Sequence, residues 1–574
     1  MLQRVLVAAL LASRCFVSAD FELGNGDDDD LTHFVTRPEI KAPRFNVTVY
    51  DSATLAPGYW FVAPYAKLAQ EYFPSNYYQP CQSGPAIYDT SGELIWSGAC
   101  AFRNNNTCDF RVFRKDREDA LSAVFCAYSH GPIRHGIVLD ASYQAIQNIT
   151  GPEETPDFNM HELNIIDDGQ SALHFMDRSE YVDVSELGID GVQKGWILDT
   201  GFLEMDMKTG QTNFEWWASK HVAVSESSVK VERLENPYPL SWNWFHGNSI
   251  NKNSDGDYLV SSRFTDCIYK ISGKSGEILW RFGGKRSTFR LDGFNFSRQH
   301  DAQWVSHNDR AEVVSFLDNA SDMDDETSSY SSALIVELDK ISKTARVIQR
   351  IERPDHGLSR LRGNFQPLPN GNRLVGWSDN SYISEHSSDG RLLMEARFQT
   401  DRFVTYRSYK FEFKGQPTEP PVLKAFAYGS SATKATTVYY VSWNGATEVS
   451  SWRFLALDSI SQRPVLQGEV RRSEFETSFH GDGFQSRVYA EAVDSSGEVL
   501  AKSEVFEVER PKHWRDVSQP QKDWPKIPIA RPADAPWSIS LFALFLFAGT
   551  CALARNFLSR RAKRARMKHR GETR

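Results

Sequence analysis

Residues 246–264 read HGNSINKNSDGDYLVSSRF. A histidine opens a short strand, Asp255-Gly256 turns the chain, and a second strand follows, so the stretch reads as one hairpin. The pattern returns at His161 (HELNIIDDGQSALHFMD), at His300 (HDAQWVSHNDRAEVVSFLDN) and at Arg362 (RGNFQPLPNGNRLVGWSDN), with turns at Asp168-Gly169, Asn308-Asp309 and Asn370-Gly371. Fainter copies begin near Tyr59 and Asp109, which makes six.

The stretches that follow these hairpins also repeat. IYDTSGELIW (87–96), IVLDASYQAI (137–146), EMDMKTGQTNFEW (204–216), IYKISGKSGEILW (268–280), IVELDKISKTARVI (335–348) and YISEHSSDGRLLM (382–394) are each two short strands across a turn. Four strands per repeat, six times over, predict an all-β chain whose main unit is a six-bladed β-propeller over residues 45–415. Residues 220–240 break the spacing and read as a long inter-blade loop, and long loops often carry function.

Beyond Gly415 and the prolines at 417–421, alternating strands over residues 422–508, with Trp443 and Tyr489, predict an Ig- or fibronectin III-like β-sandwich without a disulfide. This module suits a spacer or a docking site for a protein partner. Residues 509–536 are Pro-rich and read as a semi-rigid linker.

The ends of the chain point to export and a membrane. Residues 1–19 have the charge, apolar run and small-residue cleavage site of a signal peptide, and residues 20–44 form an N-terminal arm. Residues 537–554 are apolar and uncharged, long enough for one transmembrane helix. The tail 555–574 holds nine Lys/Arg and one acid, which predicts a single-pass type I protein with its bulk lumenal or extracellular. Among 574 residues, 41% are hydrophobic and the formal charge is -9, so disorder is excluded as the main state and the acidic body is a poor partner for nucleic acid.

Cysteine usage agrees with an oxidising compartment. Cys81, Cys100, Cys108 and Cys126 lie within a short stretch and predict two disulfides; of three connectivities, local pairing within hairpins is preferred. Cys267 is left over, and buried. Sequons stand at Asn46, Asn105, Asn148, Asn295 and Asn319.

In a propeller the first strand of each blade lines the central channel, so equal offsets converge on one mouth. His161, His246 and His300 share that offset, whereas His174, His221, His386 and His480 do not and read as surface or loop residues. The bland alternative is that the three only tie neighbouring blades together. A metal is a further alternative, since three imidazoles suit an open zinc site. No Cys or carboxylate sits at a matching offset, so neither a metal nor a cofactor is expected.

HGNSI, DGDYLVSSRF, SGEILWRFGG, QHDA and SFLDN follow one another in an order that strongly resembles the PAPS-independent arylsulfotransferase family, in particular its fungal-type membrane-anchored branch. The resemblance covers about residues 130–410. It implies a six-bladed propeller that moves a sulfuryl group from a phenolic sulfate ester to a phenol through a histidine intermediate, without a cofactor. His300 in QHDA is then the nucleophile. His246, His161 and Arg263 would hold sulfuryl oxygens or shuttle protons, with Asn248 binding substrate and Asp301 either doing so or setting the tautomer of His300, although adjacent side chains on a strand point apart and a backbone contact suits Asp301 at least as well. These residue types suit the chemistry: a neutral imidazole is nucleophilic, and an anion that spreads its charge needs fixed donors. The competing reading is a non-enzymatic, membrane-anchored propeller acting as receptor or scaffold.

Overall fold

The computed structural model describes residues 30–66, 81–126, 134–151, 157–237, 240–322, 324–512 and 514. The signal peptide, most of the linker, the apolar segment 537–554 and the basic tail lie outside the described residues. Among the described residues no helix is long and apolar enough to cross a membrane.

Among the described residues the chain is all-β, with three-residue 3-10 helices between some of the strands. Among the described residues six sheets of four or more strands come first, antiparallel apart from the pairs Lys194–Asp206 with Trp242–Asn243 and Arg290–Leu291 with Thr344–Glu352, and four of them are each built from one continuous part of the chain. The outer hairpins fall where the repeats place them, for instance Cys267–Ile271 with Ile278–Gly283. Two sheets borrow a strand from far away. Phe45–Val49 pairs with Leu392–Phe398 at the outer edge of one, and Ser408–Phe411 pairs with Tyr59–Val62 in the other.

That second pairing corrects the expected copy at Tyr59. Tyr59–Val62 is the second strand of its sheet, and Ser408–Phe411 is the first. The six first strands are therefore Thr107–Lys115, Asp157–Ile166, Gly247–Lys252, His300–His307, Asn364–Pro367 and Ser408–Phe411. Each packs against the next in chain order, and the last packs against the first. Apolar side chains fill the space between neighbouring sheets, as where Leu259, Phe282, Phe316 and Leu334 meet.

The sheet register slips at the entrance of four first strands, between Cys108 and Arg111, Phe158 and Leu163, Gly247 and Ser249, and His300 and Gln303. Such bulges turn side chains out of the regular alternation. Asp109 and Asp301, within two of these bulges, hold left-handed backbone with φ of 52° and 56°, as do His246 and Arg362, which lead into first strands with φ of 55° and 66°. A non-glycine residue pays about 1–2 kcal/mol for this, a strain that collects at functional sites. Gly247 serves close packing instead, since a Cβ there would stand 2.5 Å from the Phe175 ring.

Two further sheets follow, Val422–Ser431 with Lys434–Ser442 and Glu476–Asp482, and Pro464–Arg471 with Ser451–Leu457 and Arg487–Val493. They enclose Tyr439, Trp452, Phe454 and Ala490. Backbone and side-chain bonds fasten this part to the first sheets: Asn444 accepts from Ser97 N at 2.9 Å and donates to Ser97 O at 3.0 Å, and Tyr143 donates to Gly445 O at 2.7 Å. The disulfides are Cys81–Cys100 and Cys108–Cys126, the local pairing, and Cys267 is free and buried.

His174 and His386 correct an expectation. Both are buried inside sheets and neither is a surface residue. His174 stacks on Phe158 at 4.7 Å, and burial pushes its pKa down to about 4. Residues 220–237 pack inward through Val222, Val224 and Glu226, and Ser227 and Ser228 donate to the carbonyl of Phe264, next to Arg263.

Candidate active site

His161, His246 and His300 come from three successive sheets and meet in one place. The His161 and His246 rings are 4.6 Å apart at 72°. Tyr406 stands edge-on to both His161, at 5.6 Å, and His300, at 6.5 Å. The backbone N–H of Arg263 donates to His246 O at 3.0 Å, which brings its guanidinium to the same pit.

Each ring is oriented by an amide. Asn319 Oδ1 lies 2.7 Å from His300 Nδ1, while Asn319 Nδ2 donates to Ser359 O at 2.6 Å and to Arg362 O at 2.9 Å. With Nδ2 committed, Oδ1 must accept, so His300 carries its proton on Nδ1 and offers the Nε2 lone pair. His161 is held the same way by Asn159 Oδ1 at 2.5 Å, because Asn159 Nδ2 donates to Asp177 Oδ2 at 2.6 Å. His246 is the opposite tautomer, for Asn243 Nδ2 faces its Nδ1 at 2.9 Å and leaves the proton on Nε2.

Burial keeps all three neutral. It lowers the His161 pKa to about 3 and those of His246 and His300 well below the usual imidazole range, with Arg263 adding to each shift.

Arg263 is 6% exposed, and its Nε has no hydrogen-bond partner. Its Nη2 reaches only the carbonyl of Arg360, at 3.4 Å. The nearby carboxylates are taken: Arg298 binds Asp266 at 2.9 Å and Asp322 at 2.5 Å. Among the described residues no carboxylate pairs with Arg263, and burial lowers its pKa to about 10, still charged at neutral pH. A buried cation without a counter-ion is costly unless an anion completes it.

Arg407 lies beneath the histidines and is fully buried. It bonds Asp109 at 3.0 Å, Glu162 at 3.1 Å and the carbonyl of Asn248 at 2.8 Å. Arg111 pairs with the same two carboxylates. Asp301 stands 3.8 Å from Arg407, so three carboxylates face these two guanidiniums, while Arg263 pairs with none of them.

Two sequence-based assignments need correction, those of Asp301 and Asn319. Asp301 does not touch the His300 ring: its Oδ2 accepts from Phe365 N at 2.9 Å and its Oδ1 from Gln303 Nε2 at 3.0 Å, so it pins the next sheet. Adjacent strand positions point apart, and the bulge does not undo this. Asn248 donates one Nδ2–H to Gln299 O at 2.7 Å, and its buried Oδ1 has no hydrogen-bond partner. Asn319, a sequon residue, is fully buried, and a glycan has no access to it. Asn46, Asn148 and Asn295 are exposed and Asn105 is half-buried.

Sequence reasoning missed Tyr406, Asn319 and Arg407. Tyr406 is buried, its hydroxyl has no partner, and burial raises its pKa. The signal was present: Tyr406-Arg407-Ser408 leads into a first strand as His246-Gly247-Asn248 and Arg362-Gly363-Asn364 do.

Residues 124–399 match the family model for arylsulfotransferase (ASST). The match takes in all three histidines, Arg263 and Asn319, and ends just before Tyr406. No curated protein matches the chain. Solved structures that resemble it include a protein of unknown function from Bacteroides caccae, at 14% identity and TM-score 0.34, covering 62% of this chain and 99% of that one. An exo-beta-1,3-galactanase from Phanerochaete chrysosporium matches at 9% identity and TM-score 0.27, covering 73% of this chain and 97% of its own. Likenesses this distant carry nothing about the arylsulfotransferase-like chemistry.

Among the described residues no three His, Cys, Asp or Glu side chains are grouped to hold a metal ion.

Proposed function

We propose that this chain is a PAPS-independent aryl sulfotransferase built on a six-bladed β-propeller, with His300 as nucleophile. One observation carries the reading: three neutral imidazoles share a pit with Arg263, a buried guanidinium that no carboxylate pairs.

In the first half-reaction the Nε2 lone pair of His300 attacks the sulfur of a phenolic sulfate ester. The N–S bond forms as the S–O(aryl) bond breaks, and the phenoxide leaves. The sulfuryl oxygens lie against Arg263 and His246 Nε2–H, donors fixed before the reaction. Positive charge that develops on the His300 ring is shared with Asn319 through Nδ1–H. Tyr406 O–H supplies the proton to the phenoxide and is left as a phenolate. In the second half-reaction His161 Nε2 takes the proton of an acceptor phenol, whose oxygen attacks sulfur as the N–S bond breaks and neutral His300 is released; His161 then returns the proton to the oxygen of Tyr406, whose ring stands 5.6 Å away, so every group ends the cycle as it began.

The same reading places the chain in the secretory pathway or at the cell surface, held by residues 537–554 with the tail 555–574 cytoplasmic, and leaves the sandwich as the surface for a protein partner. Its glycans would stand at the exposed sequons.

The test is incubation of the full chain with a chromogenic aryl sulfate and a phenol. Turnover, and recovery of a sulfated peptide containing His300 after acceptor is withheld, are expected. Unchanged turnover in His300→Asn would end the proposal.

A further inference from the structure

Asp318 ends the strand Ala311–Asp318 and is 3% exposed. Its Oδ1 accepts two backbone hydrogen bonds, from Ser297 N at 3.1 Å and from Ala320 N at 3.0 Å. Ser297 lies three residues before His300, and Ala320 directly follows Asn319. The same Ala320 N–H also donates to Ser297 O at 3.1 Å, so one carboxylate closes the two segments on each other. Both segments are strained, with Arg298 at φ 56° and Ala320 at φ 57°. Left-handed backbone at such residues persists only where surrounding bonds hold it.

We propose that Asp318 is a positioning residue for His300: its carboxylate clamps the strained backbone on both sides of the His300–Asn319 pair, and the strength of that clamp sets the reactivity of His300 Nε2. The role rests on the proposed chemistry only for its catalytic readout. The carboxyl touches neither the imidazole nor Arg263; it acts through backbone.

The clamp also titrates. Burial pushes the Asp318 pKa up to about 7, against the opposing effect of the Ser297 and Ala320 amides. The charged groups that face it are Arg350, which lowers the pKa and donates to Ser332 Oγ at 3.2 Å on the neighbouring strand, and Asp266, which raises it and is itself held by Arg298. An ionised carboxylate accepts amide bonds more strongly than a carboxylic acid does, so the clamp tightens as pH rises through neutrality. The His300 ring is neutral throughout this range, so such a change in its behaviour would come from a neighbour.

The experiment is a titration of the full chain labelled with [15N]histidine, read by NMR between about pH 6 and pH 8, with His300→Asn used to assign the ring. We expect the His300 ring nitrogens to shift with a midpoint near the Asp318 pKa, and Asp318→Asn to remove the step. Aryl sulfate turnover should fall about ten-fold or more in Asp318→Asn at pH 8 with KM little changed, as for a misplaced nucleophile. Asp318→Glu covers the case in which the first variant does not fold; it should keep a step at a displaced midpoint. A step that survives in Asp318→Asn, an unchanged midpoint in Asp318→Glu, or no step in the unmodified chain would overturn the assignment. If aryl sulfates are not turned over at all, the sulfotransferase reading fails while the NMR step still decides the role of Asp318.

Discussion

His161 and His246 stand with ring centroids 4.6 Å apart and carry their protons on different nitrogens, one presenting a lone pair and the other an N–H. Such a pair can accept a proton on one side of a transferring group while donating a hydrogen bond on the other. It works only while both rings are neutral.

That neutrality makes the fold acid-sensitive. An unfolded histidine binds a proton below about pH 6.5, whereas His161 and His174 resist until about 3 and 4, and His246 and His300 are displaced in the same direction. Between those limits the unfolded chain binds more protons, so stability is complete above about pH 6.5 and falls as pH drops, by about 1.4 kcal/mol per unit for each ring. Asp318, Glu162, Asp199 and Glu93 oppose this, because raised carboxyl pKa values favour folding at low pH, while His221 and His386, also lowered, add to the histidine effect. Denaturant midpoints at pH 7 and pH 5 should show a clear loss at pH 5.

Asn319→Ala removes the acceptor from His300 Nδ1 and the donor from two carbonyls. With the tautomer no longer fixed, kcat for aryl sulfate turnover should fall about 10²-fold or more with a smaller change in KM, by analogy with loss of other histidine-orienting groups. A change in KM alone would contradict it.

Tyr406→Phe deletes one hydroxyl that has no partner in the unliganded site. Stability should stay within about 0.5 kcal/mol, since no hydrogen bond is lost. Turnover should drop about 10- to 100-fold if that hydroxyl protonates the departing phenoxide. Comparing phenols of different acidity checks this, because good leaving groups should be affected least.

Arg407→Met leaves Asp109 and Glu162 with only Arg111 as cation. Removing one partner from a buried network of this kind costs about 3–5 kcal/mol. A lowered thermal midpoint is expected even without substrate.

Peptide mapping of the chain expressed through a eukaryotic secretory pathway should find Asn319 unmodified. Its side chain is fully buried and both its amide atoms are engaged, whereas Asn46, Asn148 and Asn295 are open to solvent.

The repeat made the histidines legible. Because strand geometry is periodic, an equal offset in the sequence became an equal height in the structure, and this brought His161, His246 and His300 together without any contact being visible beforehand. Tyr406 and Arg407 were hidden by the way the sheets borrow strands: the hairpin beginning at Tyr59 takes its first strand from 408–411, far along the chain. Alternation along a strand already favours a backbone contact for Asp301 over one with its neighbour's ring, and Phe365 N is the group it meets. The partner of His300 is instead Asn319, 19 residues away, which no pattern of spacing announces. Bulges deepened the difficulty, since they depend on backbone angles that composition does not encode.

The borrowed strands have a consequence for biosynthesis. Tyr59–Val62 leaves the ribosome early, yet the strand that flanks it arrives only with Ser408–Phe411. Phe45–Val49 waits almost as long for Leu392–Phe398. Nascent chains therefore carry unmatched strand edges through most of translation, a state that invites chaperone binding. A product that stops before Phe411 keeps such an edge for good and is a substrate for quality control.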